Sequence, residues 1–88
     1  MLIKEVTIKN AIGLYARPAT FFIQKANEFK CIVYLEYGSK RVNAKSLLGV
    51  LSLGIASGEK MNIIADGDDE NDAMSALVSM IEKDFKEE

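Results

Sequence analysis

The sequence predicts an open-faced α/β sandwich: a four-stranded antiparallel sheet covered on one face by three helices, in the order βαββαβα. Three observations carry that expectation. Apolar residues alternate with polar ones, or cluster with β-branched and aromatic types, over 2–9, 31–37 and 61–66, as strands require. Two other segments, 19–26 and 73–81, space their apolar residues at helical intervals. The chain has 88 residues, enough for one domain with one modest core, so these stripes must bury one another.

Residues 2–9 place Leu2, Lys4, Val6 and Ile8 on one face, with Val6 and Ile8 inward. Asn10 to Leu14 reads as a loop. Pro18, the only proline, fits the first turn of a helix, where its missing N–H is not needed. Ala19, Phe22, Ile23 and Ala26 form the stripe of that helix, which should run from about Ala16 to Asn27. Phe21 lies off the stripe. Residues 31–37 form a second strand with Val33 and Leu35 inward, and Gly38-Ser39 turns it into a third, Lys40 to Asn43. Ser46 suits the N-cap of a short helix through Leu47, Leu48, Val50 and Leu51, bounded by Gly54 and Gly58. Met61, Ile63 and Ala65 alternate with Asn62, Ile64 and Asp66 along a fourth strand. Asp69 is a second N-cap candidate, and Ala73, Leu77, Met80 and Ile81 share one face of the last helix. No repeat, linker or low-complexity segment divides the chain, so residues 1–88 read as a single domain.

Composition narrows the function. The chain is 49% hydrophobic and 27% charged, which is a globular balance. A formal charge of −2 is too small to predict direct binding to nucleic acid or an anionic membrane. No apolar run approaches the ~18 residues of a membrane span, and Lys4 and Glu5 interrupt any signal-peptide pattern. Cys31, the only cysteine, reads as a buried structural thiol, and the location expected is cytoplasmic. The chain has no histidine. That removes the commonest general base and metal ligand, so no catalytic triad, metal site or cofactor is expected, and the protein reads as a non-enzyme.

Two segments remain as candidate sites. Gly13 to Ala19 opens the first helix, whose N-terminus attracts anions and whose Arg17 adds a guanidinium able to grip phosphate or carboxylate. The other is Ser46, read locally as a helix cap. The run Gly13-Leu14-Tyr15-Ala16-Arg17-Pro18-Ala19-Thr20 resembles the phosphorylation loop of the HPr family, the phosphocarriers of the bacterial sugar phosphotransferase system. Val42 to Gly54 is similar to that family's regulatory-serine segment, and Asp66-Gly67 with Glu70-Asn71-Asp72-Ala73 to its last strand-to-helix turn. The similarity covers essentially the whole chain and agrees with the order of elements read above.

The departure from the pattern is equally informative. Position 15, which in the phosphocarriers is the phosphate-accepting histidine, is Tyr15. A phosphohistidine hands its phosphoryl group onward; a phosphotyrosine is a stable ester and a poor donor. A phenol is also almost fully protonated at neutral pH. The resemblance is therefore to the branch that lacks the histidine, the Crh type, although the Crh proteins carry glutamine at this position.

That resemblance implies phosphorylation of Ser46 by HPr kinase/phosphorylase and binding to the catabolite control repressor as corepressor. It also implies a docking patch of Thr20, Phe21, Leu47, Leu48 and Leu51 with Gln24 beside it, where the family often has a basic residue. The basic rim then rests on Arg17 and Lys45, and Lys45 and Lys40 are the expected cations near a Ser46 phosphate. Two alternatives stand beside this reading. One is a phosphocarrier altered at position 15 that still meets Enzyme I or other phosphotransferase-system proteins. The other is a structural or oligomeric role, in which the first strand is exchanged between copies, so that the chain is either a monomer or a domain-swapped dimer.

Overall fold

The computed structural model describes residues 1–85. Seven elements follow in the expected order: β1 (Leu2–Thr7), α1 (Ala16–Ala26), β2 (Ile32–Tyr37), β3 (Lys40–Asn43), α2 (Leu47–Ser52), β4 (Lys60–Asp66) and α3 (Glu70–Glu82). The strands form one antiparallel sheet in the order β1-β4-β2-β3. β1 is therefore an edge strand, paired from Leu2↔Ala65 to Thr7↔Lys60.

The alternation read from the sequence becomes the inner face of the sheet. Val6, Val33, Leu35, Met61, Ile63 and Ala65 are buried there. α1 covers them with Ala19, Phe22 and Ala26, and α3 with Ala73, Leu77 and Ile81. Burying such a set supplies most of the folding drive, at roughly 25 cal/mol per Å² of apolar surface. Cys31 is buried, as expected of a structural thiol.

Three details differ from expectation. The α3 face is broader: Met74 and Val78 are buried while Met80 is only half-buried, because α3 packs on both β1 and β4. Ile64 points to the open face yet is only 2% exposed; its register neighbours there are Ile3 and Tyr34. Asp69 occupies the N-cap of α3 but makes no side-chain cap bond. Its carboxylate instead accepts from the backbone N–H groups of Lys30 at 2.8 Å and Cys31 at 2.9 Å. Those amides precede β2 and stand outside its ladder, so the carboxylate serves them rather than its own helix. They also hold it below the usual carboxylate range, the Lys30 amide contributing most.

Candidate functional site

α1 and α2 pack on each other, and the two candidate positions lie at the two ends of α2. Ser46 is the N-cap of α2, with extended backbone (φ −107°, ψ 120°), and its Oγ accepts from the Gly49 N–H at 3.2 Å. Tyr15 reaches the other end. It is the N-cap of α1 (φ −132°, ψ 165°), makes no cap bond, and is 37% exposed. Its hydroxyl lies over Gly54, only 3.2 Å from where a Cβ would stand. Six residues of α2 separate the two positions, about 9 Å of helical rise.

The loop before Tyr15 is tightly fitted. Leu14 N–H donates to the Ile55 carbonyl at 2.9 Å. Gly13 (φ +83°) passes so close that a Cβ there would stand 2.6 Å from the same oxygen. Ala16, the first residue of α1, is held at φ +51°, a left-handed conformation that costs a non-glycine residue about 1 kcal/mol or more. Thr20 Oγ1 donates back to the Ala16 carbonyl at 3.1 Å. Arg17 is exposed and forms no ion pair among the described residues.

Sequence reasoning missed the group facing Tyr15. The Tyr37 hydroxyl donates to Glu59 Oε1, and Glu59 Oε2 accepts from the Ala56 N–H at 2.8 Å. This pins the loop between Gly54 and Glu59. The hydrogen bond to Glu59 pushes the Tyr37 phenol above its ordinary range, with burial, the Glu59 charge and nearby Tyr15 adding to it. The same bond, with the Ala56 amide, holds the Glu59 carboxyl low. Tyr37 and Glu59 are twenty-two residues apart, so no local pattern announces them.

The apolar patch is present in modified form. Leu48 is 81% exposed and Leu47 46%, Leu51 is half-buried, and Thr20 and Gln24 are exposed on α1. Phe21 is half-buried and packs against the core.

Lys45 is half-buried, and its Nζ donates to the Phe29 carbonyl at 2.7 Å, just beyond the end of α1. Lys40 pairs with Tyr37 at the far end of β3 from Asn43, about 10 Å of strand away. Arg17 is exposed at the start of α1. A negative charge on Ser46 would instead be favoured by the free N–H groups and dipole of the first turn of α2.

The fold and these positions define a class: a small open-faced sandwich with two surface helices, whose N-caps are the exposed Tyr15 and the half-buried Ser46. Grooves of about 390 and 200 Å³ run between β1 and α3, and neither Tyr15, Ser46 nor α2 lines them. Comparison with known proteins makes the class particular. A family model described as the PTS HPr component phosphorylation site matches residues 2–83. The HPr-like protein Crh of Halalkalibacterium halodurans is 46% identical over 84 residues, covering 96% of this chain and 100% of that protein. The HPr-like protein Crh of Bacillus subtilis is 39% identical, covering 96% and 99%. Among solved structures, an HPr of Thermoanaerobacter tengcongensis superposes with a TM-score of 0.96 at 45% identity, covering 100% of this chain and 99% of that one. A Bacillus subtilis Crh crystal structure, described as a domain-swapping intertwined dimer, gives a TM-score of 0.76 at 38% identity, covering 99% and 100%. The chain belongs to the HPr family, with Crh-named relatives along nearly its whole length. This is a family of phosphocarrier and regulatory proteins, not of enzymes.

Proposed function

We propose that the chain is a regulatory protein of carbon catabolite repression: a phosphate acceptor at Ser46 that no longer carries phosphate at position 15. The observation behind this is the pairing of a Ser46 cap at the start of α2 with Tyr15 at the carrier position. HPr kinase/phosphorylase would transfer the γ-phosphoryl group of ATP to Ser46 Oγ. An O–P bond forms, ADP leaves, and the hydroxyl proton passes to the kinase or solvent. The phosphate then sits at the N-terminus of α2, where charge and N–H groups favour it. Leu47 and Leu48 follow at once, so the new charge and the apolar patch are presented together, with Arg17 on the rim, to the catabolite control repressor. On this reading the protein works in the cytoplasm. Incubation with the kinase and ATP should add one phosphate to Ser46 by mass spectrometry; an unchanged mass sinks the reading.

A second reading concerns assembly. β1 is an edge strand whose only partner strand is β4, and the Bacillus subtilis Crh structure is described as swapping a domain. Exchange of β1 between two copies would conserve its pairing with β4. Size-exclusion chromatography over a concentration series decides between monomer and dimer.

A further inference from the structure

The residue before Ser46 is held at all three of its polar groups. The Lys45 backbone N–H donates to Asn43 Oδ1 at 2.9 Å. Its carbonyl accepts from Asn27 Nδ2 at 3.3 Å, and its Nζ donates to the Phe29 carbonyl at 2.7 Å. On either side, Ala44 N–H donates to the Val33 carbonyl at 2.8 Å and Ser46 N–H to the Asn43 carbonyl at 3.1 Å. Every backbone N–H from 44 to 46 therefore has a partner.

Two of the holding groups belong to neither the hairpin nor α2. Asn27 is the C-cap of α1, and its side-chain amide also donates to the Ile23 carbonyl at 2.9 Å; Phe29 lies just beyond. A turn between a strand and a short helix has no need of the end of another helix to close. The tie from α1 has a consequence for the next residue along: it fixes where Ser46 begins.

We infer that Asn27 and the Lys45 side chain, with Asn43, are positioning residues that clamp Ser46 in the extended conformation in which it accepts phosphate. The inference rests on the Ser46 reading above and deepens it. A substrate segment already fixed in its reactive geometry loses less conformational freedom when the kinase binds it, so the clamp acts on binding rather than on the chemical step. The Lys45 ammonium keeps its charge while one of its N–H groups ties the turn to the carbonyl of Phe29.

The test uses the full chain with HPr kinase/phosphorylase and ATP. Asn27→Ala removes the donor, Asn27→Asp keeps its size but presents only oxygen to the Lys45 carbonyl, and Lys45→Met keeps the stem without the ammonium. Each should raise KM for this substrate about five-fold, the scale on which one net hydrogen bond moves an equilibrium, with kcat held within about two-fold. Asn27→Gln, which keeps the amide, should recover part of the loss. Amide hydrogen exchange supplies the second reading: protection at Lys45 and Ser46 should fall by a similar factor while the central amides of β4 stay unchanged. Unchanged exchange at 45 and 46 in both Asn27→Ala and Lys45→Met overturns the inference, and so does faster exchange with an unchanged KM. If the wild-type chain takes no phosphate, the Ser46 reading fails by itself; faster exchange then still supports the clamp and unchanged exchange still overturns it.

Discussion

Tyr15 and Ser46 occupy matching places. Each is the N-cap of a surface helix, each has extended backbone, and the two helices pack together. Their side chains do opposite things. Ser46 turns its oxygen onto its own helix and accepts from Gly49 N–H. Tyr15 makes no cap bond and throws its ring across to Gly54, beside the Tyr37–Glu59 pair. The difference is one of reach: a hydroxyl on one carbon can serve the first turn, and a phenol cannot. A helix N-terminus is therefore only half of an acceptor site; the side chain must deliver a reactive atom to it.

The strongest way to break the comparison is to exchange the chemistry. Tyr15→His should gain phosphate from phosphoenolpyruvate and Enzyme I, where the present chain takes none; labelling of the unaltered chain would remove the contrast. Ser46→Ala should abolish labelling by HPr kinase/phosphorylase and, as a lost cap, lower stability by about 1 kcal/mol in urea titration. Next in size is Gly13→Ala. Its Cβ would press on the Ile55 carbonyl in a left-handed conformation, so a loss of ~2 kcal/mol or more is expected in urea midpoints, with the loop carrying Tyr15 displaced. Leu48→Asp should weaken repressor capture by the phosphorylated protein about ten-fold, read by surface plasmon resonance, while shifting stability by less than ~0.5 kcal/mol because the side chain is so exposed.

The smallest effect is on pH. Asp69 and Glu59 titrate below their ordinary ranges in the folded chain, owing to the Lys30 amide and the Tyr37 hydroxyl respectively. The folded values lie below the unfolded ones. The stability these groups give is thus complete above the ordinary carboxylate range and drains away as pH falls through the folded values. Asp69→Asn should flatten the acid limb of a urea-midpoint profile and leave the neutral region parallel to wild type.

What the sequence made legible is what repeats along it. Period two found β1 and β4, β-branched and aromatic composition found β2, helical spacing found the stripes of α1 and α3, and Ser46 is a cap because its partner is three residues away. Local patterns fail where a partner comes from elsewhere. Asp69 looks like a cap for the helix that follows, but the amides it serves are thirty-eight and thirty-nine residues back. Nothing near Lys45 in the sequence announces its bond to the Phe29 carbonyl, and Ile64 looks exposed by alternation until its cross-strand neighbours flank it. Tyr15 was legible as a departure only through the family resemblance. What it faces was not legible at all.

The place of β1 at the edge of the sheet has a consequence for how the chain is made. β1 is first in the sequence, yet its sole partner strand lies more than fifty residues on. As the chain leaves the ribosome, α1, the β2–β3 hairpin and α2 all emerge before β1 has a strand to join. During that interval β1 is an unpaired apolar strand, and closing so long a loop is the slow step expected of such a topology. If β1 is exchanged as proposed, the waiting strand has time to find the β4 of a neighbour where many copies are made together, and the share of exchanged dimer should then rise with the rate of synthesis and not only with the final concentration.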